Sequence, residues 1–156
     1  MITSRNSWER LVELWDISEV ASVVSKALAS LYILKVGTYE SDLDLVTISS
    51  NIKECEKILK KFSEDLELYM SNKAPETVLV TILINSFGDV DVEKIKEHLS
   101  KAIKGEGKLN KILSEKPIDK KALEDGDLVE LERVLSKLSD TLSRKVEQMA
   151  NEIYAF

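Results

Sequence analysis

The sequence predicts an α+β fold that is predominantly helical: a helical bundle with a small inserted antiparallel sheet of about three strands. Three observations carry this expectation. Apolar residues recur at helical spacing through most of the chain. Three short runs dense in β-branched residues interrupt that pattern. A long C-terminal seam of leucines spaced by threes and fours closes it. The 156 residues fit a single domain, 1–156, with a helical body at 1–30, 51–70 and 89–156 and a β element near 31–50 and 77–86.

The elements follow in chain order. Trp8, Leu11, Val12 and Trp15 fall at i, i+3, i+4, i+7 and predict a short first helix, with Asn6 and Glu9 at capping-box spacing. Asp16 and Glu19 repeat that spacing before a second helix carrying Ile17, Val20, Ala21, Val24, Ala27, Leu28 and Leu31. LYILKV (31–36) and LDLVTIS (43–49) read as strands joined by Gly-Thr-Tyr-Glu-Ser, a length that suits a hairpin, although the first run equally completes the second helix. A third helix over roughly 51–70 carries Ile52, Cys55, Ile58, Leu59, Phe62, Leu66 and Tyr69. TVLVTILI (77–84) is rich in β-branched residues, follows Pro75 and reads as the third strand. Acids at 89, 91 and 93 then mark a helix start, and Lys101, Lys104 and Gly105 mark its end, with KGEGK (104–108) as a loop. The last helix bears Leu128, Leu131, Leu135, Leu138, Leu142, Val146, Met149 and Ile153 along one narrow stripe, with Asp140 and Arg144 as an i,i+4 pair.

Composition removes several classes of chemistry. One cysteine (Cys55) forbids an internal disulfide, and one histidine (His98) leaves no Cys/His set for zinc. No metal, cofactor or catalytic residue is assigned. No apolar run approaches the ~20 residues of a bilayer span, and the N-terminus lacks a signal-peptide core, so the expectation is a cytoplasmic protein without a membrane partner. The net charge is −6, yet Lys94–Lys121 holds nine lysines against four acids, a surplus of five that leaves the remainder at −11. A basic arm on an acidic body is either an oriented contact surface or a solvated helix face.

One motif invites an enzymatic reading. Gly37-Thr38 followed by Ser41-Asp42-Leu43-Asp44 resembles the metal site of minimal nucleotidyltransferases, where two carboxylates two apart on a strand hold metal ions. Three departures oppose it. The turn is too short to wrap a triphosphate, TVLVTILI supplies no third acid, and no cation stands in the turn. Asp42 and Asp44 are therefore kept only as an alternative. His98 and Cys55 lack catalytic partners, the first reading as a surface group and the second as core.

The layout — a helical body, a β element after the second helix, a basic middle arm and a long last helix in a Lys/Glu/Ile-rich chain — resembles the small subunit of the archaeal type I-A CRISPR interference (Cascade) complex. The resemblance implies a non-enzymatic subunit packed on a ribonucleoprotein, with other subunits, crRNA and target DNA as its partners. On that reading Lys101, Lys104, Lys108 and Lys111 contact phosphates, and Leu142, Met149, Ile153, Tyr154 and Phe156 meet a partner subunit. A self-assembling scaffold joined through the C-terminal seam is the other alternative.

Overall fold

The computed structural model describes residues 4–37, 42–71, 77–88 and 91–154. It contains five α-helices and one 3-10 turn, with no strand among the described residues. The helices are α1 (Ser4–Val36), α2 (Asp42–Met70), α3 (Val78–Phe87), α4 (Val92–Ser114) and α5 (Gly126–Tyr154), and the 3-10 turn is Lys120–Glu124. Among the described residues the expected inserted sheet is thus replaced by helix, and the fold is a helical bundle.

Each expected strand has a separate physical reason for being helical. LYILKV is the last two turns of α1, where Leu31 and Leu34 are buried three apart. Gly37 at φ +68° ends that helix, its N–H bonding Ile33 O at 3.0 Å, so the glycine is a left-handed helix cap rather than half of a hairpin. LDLVTIS opens α2 and adds Ile48 to the stripe Ile52, Cys55, Leu59, Phe62 and Leu66, all buried. TVLVTILI is capped at both ends. Thr77 Oγ1 accepts from Val80 N–H at 3.2 Å, and Gly88 at φ +60° donates to Ile84 O. Burial of Val80, Ile82 and Leu83 then outweighs their β preference. Thr77→Ala should cost about 1 kcal/mol and lower the melting temperature by about 2–4 °C, read by thermal denaturation. The two expected N-terminal helices are one, because nothing at Asp16 breaks the backbone pattern.

Four long helices form the body. α1 packs on α2 and α5, and α4 packs on the same two, so α1 and α4 stand across the bundle from each other. α3 lies against α5, α2 and α4. Ser25 Oγ approaches Ser139 Oγ at 3.4 Å and Lys35 pairs with Glu132, so α1 and α5 run antiparallel. The core runs the length of the bundle and includes Val24, Leu34, Leu59, Phe62, Leu99, Leu109, Leu131 and Leu138.

From Trp8 to Trp15 this register leaves one face of α1 in solvent. Counting back from the Ser25–Ser139 contact, Trp15 stands level with Met149, in the last turns of α5. Asn51 Nδ2 donates to Ser30 Oγ at 3.2 Å, which by the same count sets Leu11 level with Met70, the last residue of α2. The helical spacing of Trp8, Leu11, Val12 and Trp15 is as expected, but the stripe turns outward, and both tryptophans are 68% exposed. Trp8–Val36 is also, by length and composition alone, long and apolar enough to cross a bilayer, contrary to the expectation of no such stretch. A third of its most apolar 18-residue stretch is buried inside the bundle.

Candidate functional site

The expected phosphate contacts lie on α4, which continues through both glycines without a loop at 104–108. Lys101, Lys104, Lys108 and Lys111 are all exposed, spaced 3, 4 and 3, and so form one row on the outer face, about 15 Å long at 1.5 Å per residue. Their setting differs along the row. Lys108 Nζ is held by Asp127 Oδ2 at 2.7 Å and Asp125 at 3.1 Å, and this clasp keeps its ammonium charged above the usual lysine range. Lys108 is therefore spent on the start of α5, where Asp125 also caps Asp127 N–H at 2.8 Å. Those two bonds hold the Asp125 carboxyl below its ordinary value. Lys101, Lys104 and Lys111 carry the rest of the row.

The helix continues because Gly105 serves packing rather than termination. A Cβ built on it would lie 2.3 Å from Asp127 O and 2.7 Å from Asp127 C, so α4 and α5 touch backbone to backbone there. Gly107, two residues on, faces open space.

Of the expected partner-facing seam, Leu142 and Met149 are buried in the core of this chain. Ile153 is half-buried and Tyr154 is 76% exposed, while Phe156 lies outside the described residues. The seam therefore packs mainly within the bundle. Arg144 bonds the Asp140 backbone carbonyl at 3.3 Å.

The SDLDL motif loses its strand geometry. Asp42 and Asp44 both belong to α2, so the strand on which the sequence would set two carboxylates to one side is a helix instead. Asp44 is exposed, and the Asp42 side chain lies outside the described residues, as do Tyr39–Ser41, Pro75 and Asp89. Among the described residues no group of three or more His, Cys, Asp or Glu could hold a metal ion.

Two polar clusters were not visible in the sequence. His98, expected at the surface without a partner, is half-buried. Its Nδ1 bonds Glu130 Oε1, and Arg133 reaches Glu130 Oε2 at 3.3 Å. The His98 ring stacks on Phe87 with centroids 5.2 Å apart, and Lys137 Nζ lies 5.1 Å from the same Phe87 centroid. This group ties α3, α4 and α5 together. The second cluster is Glu106, 1% exposed, against Cys55, Glu56 and Lys60 of α2. Its Oε1 and the Oδ1 of Asn110 are buried without a hydrogen-bond partner. Burial, followed by repulsion from Glu56, pushes the Glu106 carboxyl up to about 8 against the opposing pull of Lys60 and Asn110. Burial, with Glu106 adding to it, pushes the Cys55 thiol to about 12, which leaves it unreactive as expected for a core residue.

A groove of about 570 Å³ lies between α1, α2 and the start of α3. Ile17, Val20, Ile58, Phe62 and Leu79 form its floor, and among the described residues Glu13, Asp16, Glu19 and Asp65 stand along it against one cation, Lys61. No protein-family model, curated protein or solved structure matches the chain.

Proposed function

We propose that this chain is a non-catalytic small subunit of a nucleic-acid-containing complex, and specifically of an RNA-guided interference complex of the kind the sequence resembles. The observation that carries the reading is the row of exposed lysines on the uninterrupted outer face of α4. A row of this kind follows a phosphate backbone and carries no base readout, since no exposed aromatic residue stands within it for stacking. The β element that formed part of the resemblance is absent from the described residues, so the reading rests on the basic face and on the helical body. The contact is modest by construction. With Lys108 engaged by Asp125 and Asp127, about three phosphates are neutralised, and the rest of the affinity comes from neighbouring subunits.

The test is fluorescence anisotropy with a labelled 30-nucleotide single strand and its duplex. The chain should bind both weakly at low salt, and log K should fall with log salt at a slope of about −2 to −3. Charge reversal at Lys101, Lys104 and Lys111 together should weaken binding tenfold or more and flatten that slope. Lys108→Glu should instead destabilise the α4–α5 junction, seen in the melting temperature. Binding by the triple variant equal to that of the parent protein would remove the lysine row from the account.

A further inference from the structure

The groove between α1, α2 and α3 faces a different kind of partner from the lysine row. Its floor is aliphatic and aromatic, whereas among the described residues its carboxylates, Glu13, Asp16 and Glu19 on α1 and Asp65 on α2, outnumber its one lysine by four to one. The α1 side runs from Glu13 to Val23, about 15 Å or nearly three helical turns. Trp15 stands at the edge with its indole N–H donating to Glu19 Oε1 at 3.0 Å, and the exposed stripe Trp8, Leu11, Val12 continues from it along α1.

We infer that this groove is the docking site for a basic amphipathic helix of a partner protein. The apolar face of that helix would lie on the partly exposed Val20, Val23, Ile58 and Leu79, above the buried Ile17 and Phe62, and its Lys/Arg residues would meet Glu13, Asp16, Glu19 and Asp65. Charge selects this occupant over a second copy of the chain. Among the described residues, the exposed apolar helix face Trp8–Trp15 carries Glu9 and Glu13 against Arg10, so its insertion into another copy's groove would set carboxylates against carboxylates. The chain's own basic helix, α4, has its apolar side locked in the core through Ile95, Leu99, Ala102 and Leu109. An anionic polymer or headgroup is repelled by the same acids. None of the α4 lysines takes part, so this docking site stands independently of the nucleic-acid reading.

The probe is a labelled 14-residue Leu/Lys peptide of heptad-like amphipathic pattern, titrated against the full chain at 0.1 M salt, with the Leu/Glu counterpart as comparison. The Leu/Lys peptide should bind in the micromolar range and blue-shift the tryptophan emission, and the Leu/Glu peptide should bind at least tenfold more weakly. Replacing Glu13, Asp16 and Glu19 together by lysine should weaken Leu/Lys binding at least tenfold. Replacing Asp140, Glu147 and Glu152 of α5 by lysine, which changes net charge equally, should leave it within twofold. Circular dichroism confirms that both variants fold. Equal losses in the two triple variants would reduce the effect to overall charge and overturn the inference. Equal binding of the two peptides, or a concentration-dependent dimer abolished by the α1 triple variant, would overturn it in favour of a non-selective apolar surface or of a second copy.

Discussion

Replacing Gly105 by alanine should destabilise the protein by about 1–3 kcal/mol, although alanine is the better helix former by about 1 kcal/mol. The reason is the backbone contact. The added methyl would sit 2.3 Å from Asp127 O and 3.1 Å from Leu128 N, and neither atom can move without moving the first turn of α5. That turn also carries the Lys108 clasp on Asp125 and Asp127, so parting the helices loosens the ion pairs together with the packing. Gly107→Ala meets no such neighbour and should stabilise by about 0.5–1 kcal/mol through the ordinary helix preference. Urea unfolding of the two variants side by side checks the account. Stabilisation by both would mean that α4 and α5 are farther apart than described.

The second large effect concerns pH. Glu106 in the folded protein titrates near 8, above its ordinary 4.5, because burial and Glu56 disfavour its charge. Below 4.5 both folded and unfolded chains hold the proton, and this residue contributes no pH dependence. Between 4.5 and 8 the unfolded chain has released a proton that the folded chain keeps, so stability falls as pH rises through this window and levels off above it. The neutral form also supplies what the site lacks. Protonation turns one Glu106 carboxyl oxygen from an acceptor into a donor, at a site where Glu106 Oε1 and Asn110 Oδ1 are both buried acceptors without partners. Glu106→Gln should therefore match the parent protein near pH 5 and exceed it by about 2–4 kcal/mol near pH 8.5, since each tenfold change in proton affinity corresponds to about 1.4 kcal/mol. Denaturant titrations at the two pH values read this directly. Parallel pH profiles for parent and variant would show that Glu106 is ionised and solvated in the folded state.

What could be read from the sequence follows a clear division. The α5 stripe was legible, and Leu128, Leu131, Leu135, Leu138, Leu142 and Met149 are all buried as their spacing requires. The α2 stripe from Ile52 to Leu66 was legible for the same reason, and Cys55 falls on it. The strands were not, because a short apolar run rich in valine and isoleucine has the same composition in a strand and in a buried helix. Thr77 and Gly88 held the deciding signal, a capping residue at one end and a left-handed terminator at the other. Gly105 misled in the opposite sense, since a glycine that lets two helices touch looks in sequence like one that ends a helix. The period of Trp8, Leu11, Val12 and Trp15 was correct, but period gives a face and not what covers it. Their exposure in the folded chain, 68% for both tryptophans, is what shows that this face is left uncovered by the described helices. His98 and Glu130 are 32 positions apart on different helices, and no local pattern links them.

The central claim is that the chain works as a non-catalytic subunit on a nucleic acid. Affinity capture of the tagged full-length chain from its own cells, with mass spectrometry and sequencing of the co-purified nucleic acid, tests it most directly. The account predicts a large multi-subunit complex carrying short, repeat-flanked RNAs, with recovery of that RNA reduced by charge reversal at Lys101, Lys104 and Lys111. Recovery of the chain alone, or only with further copies of itself and free of nucleic acid, would contradict it.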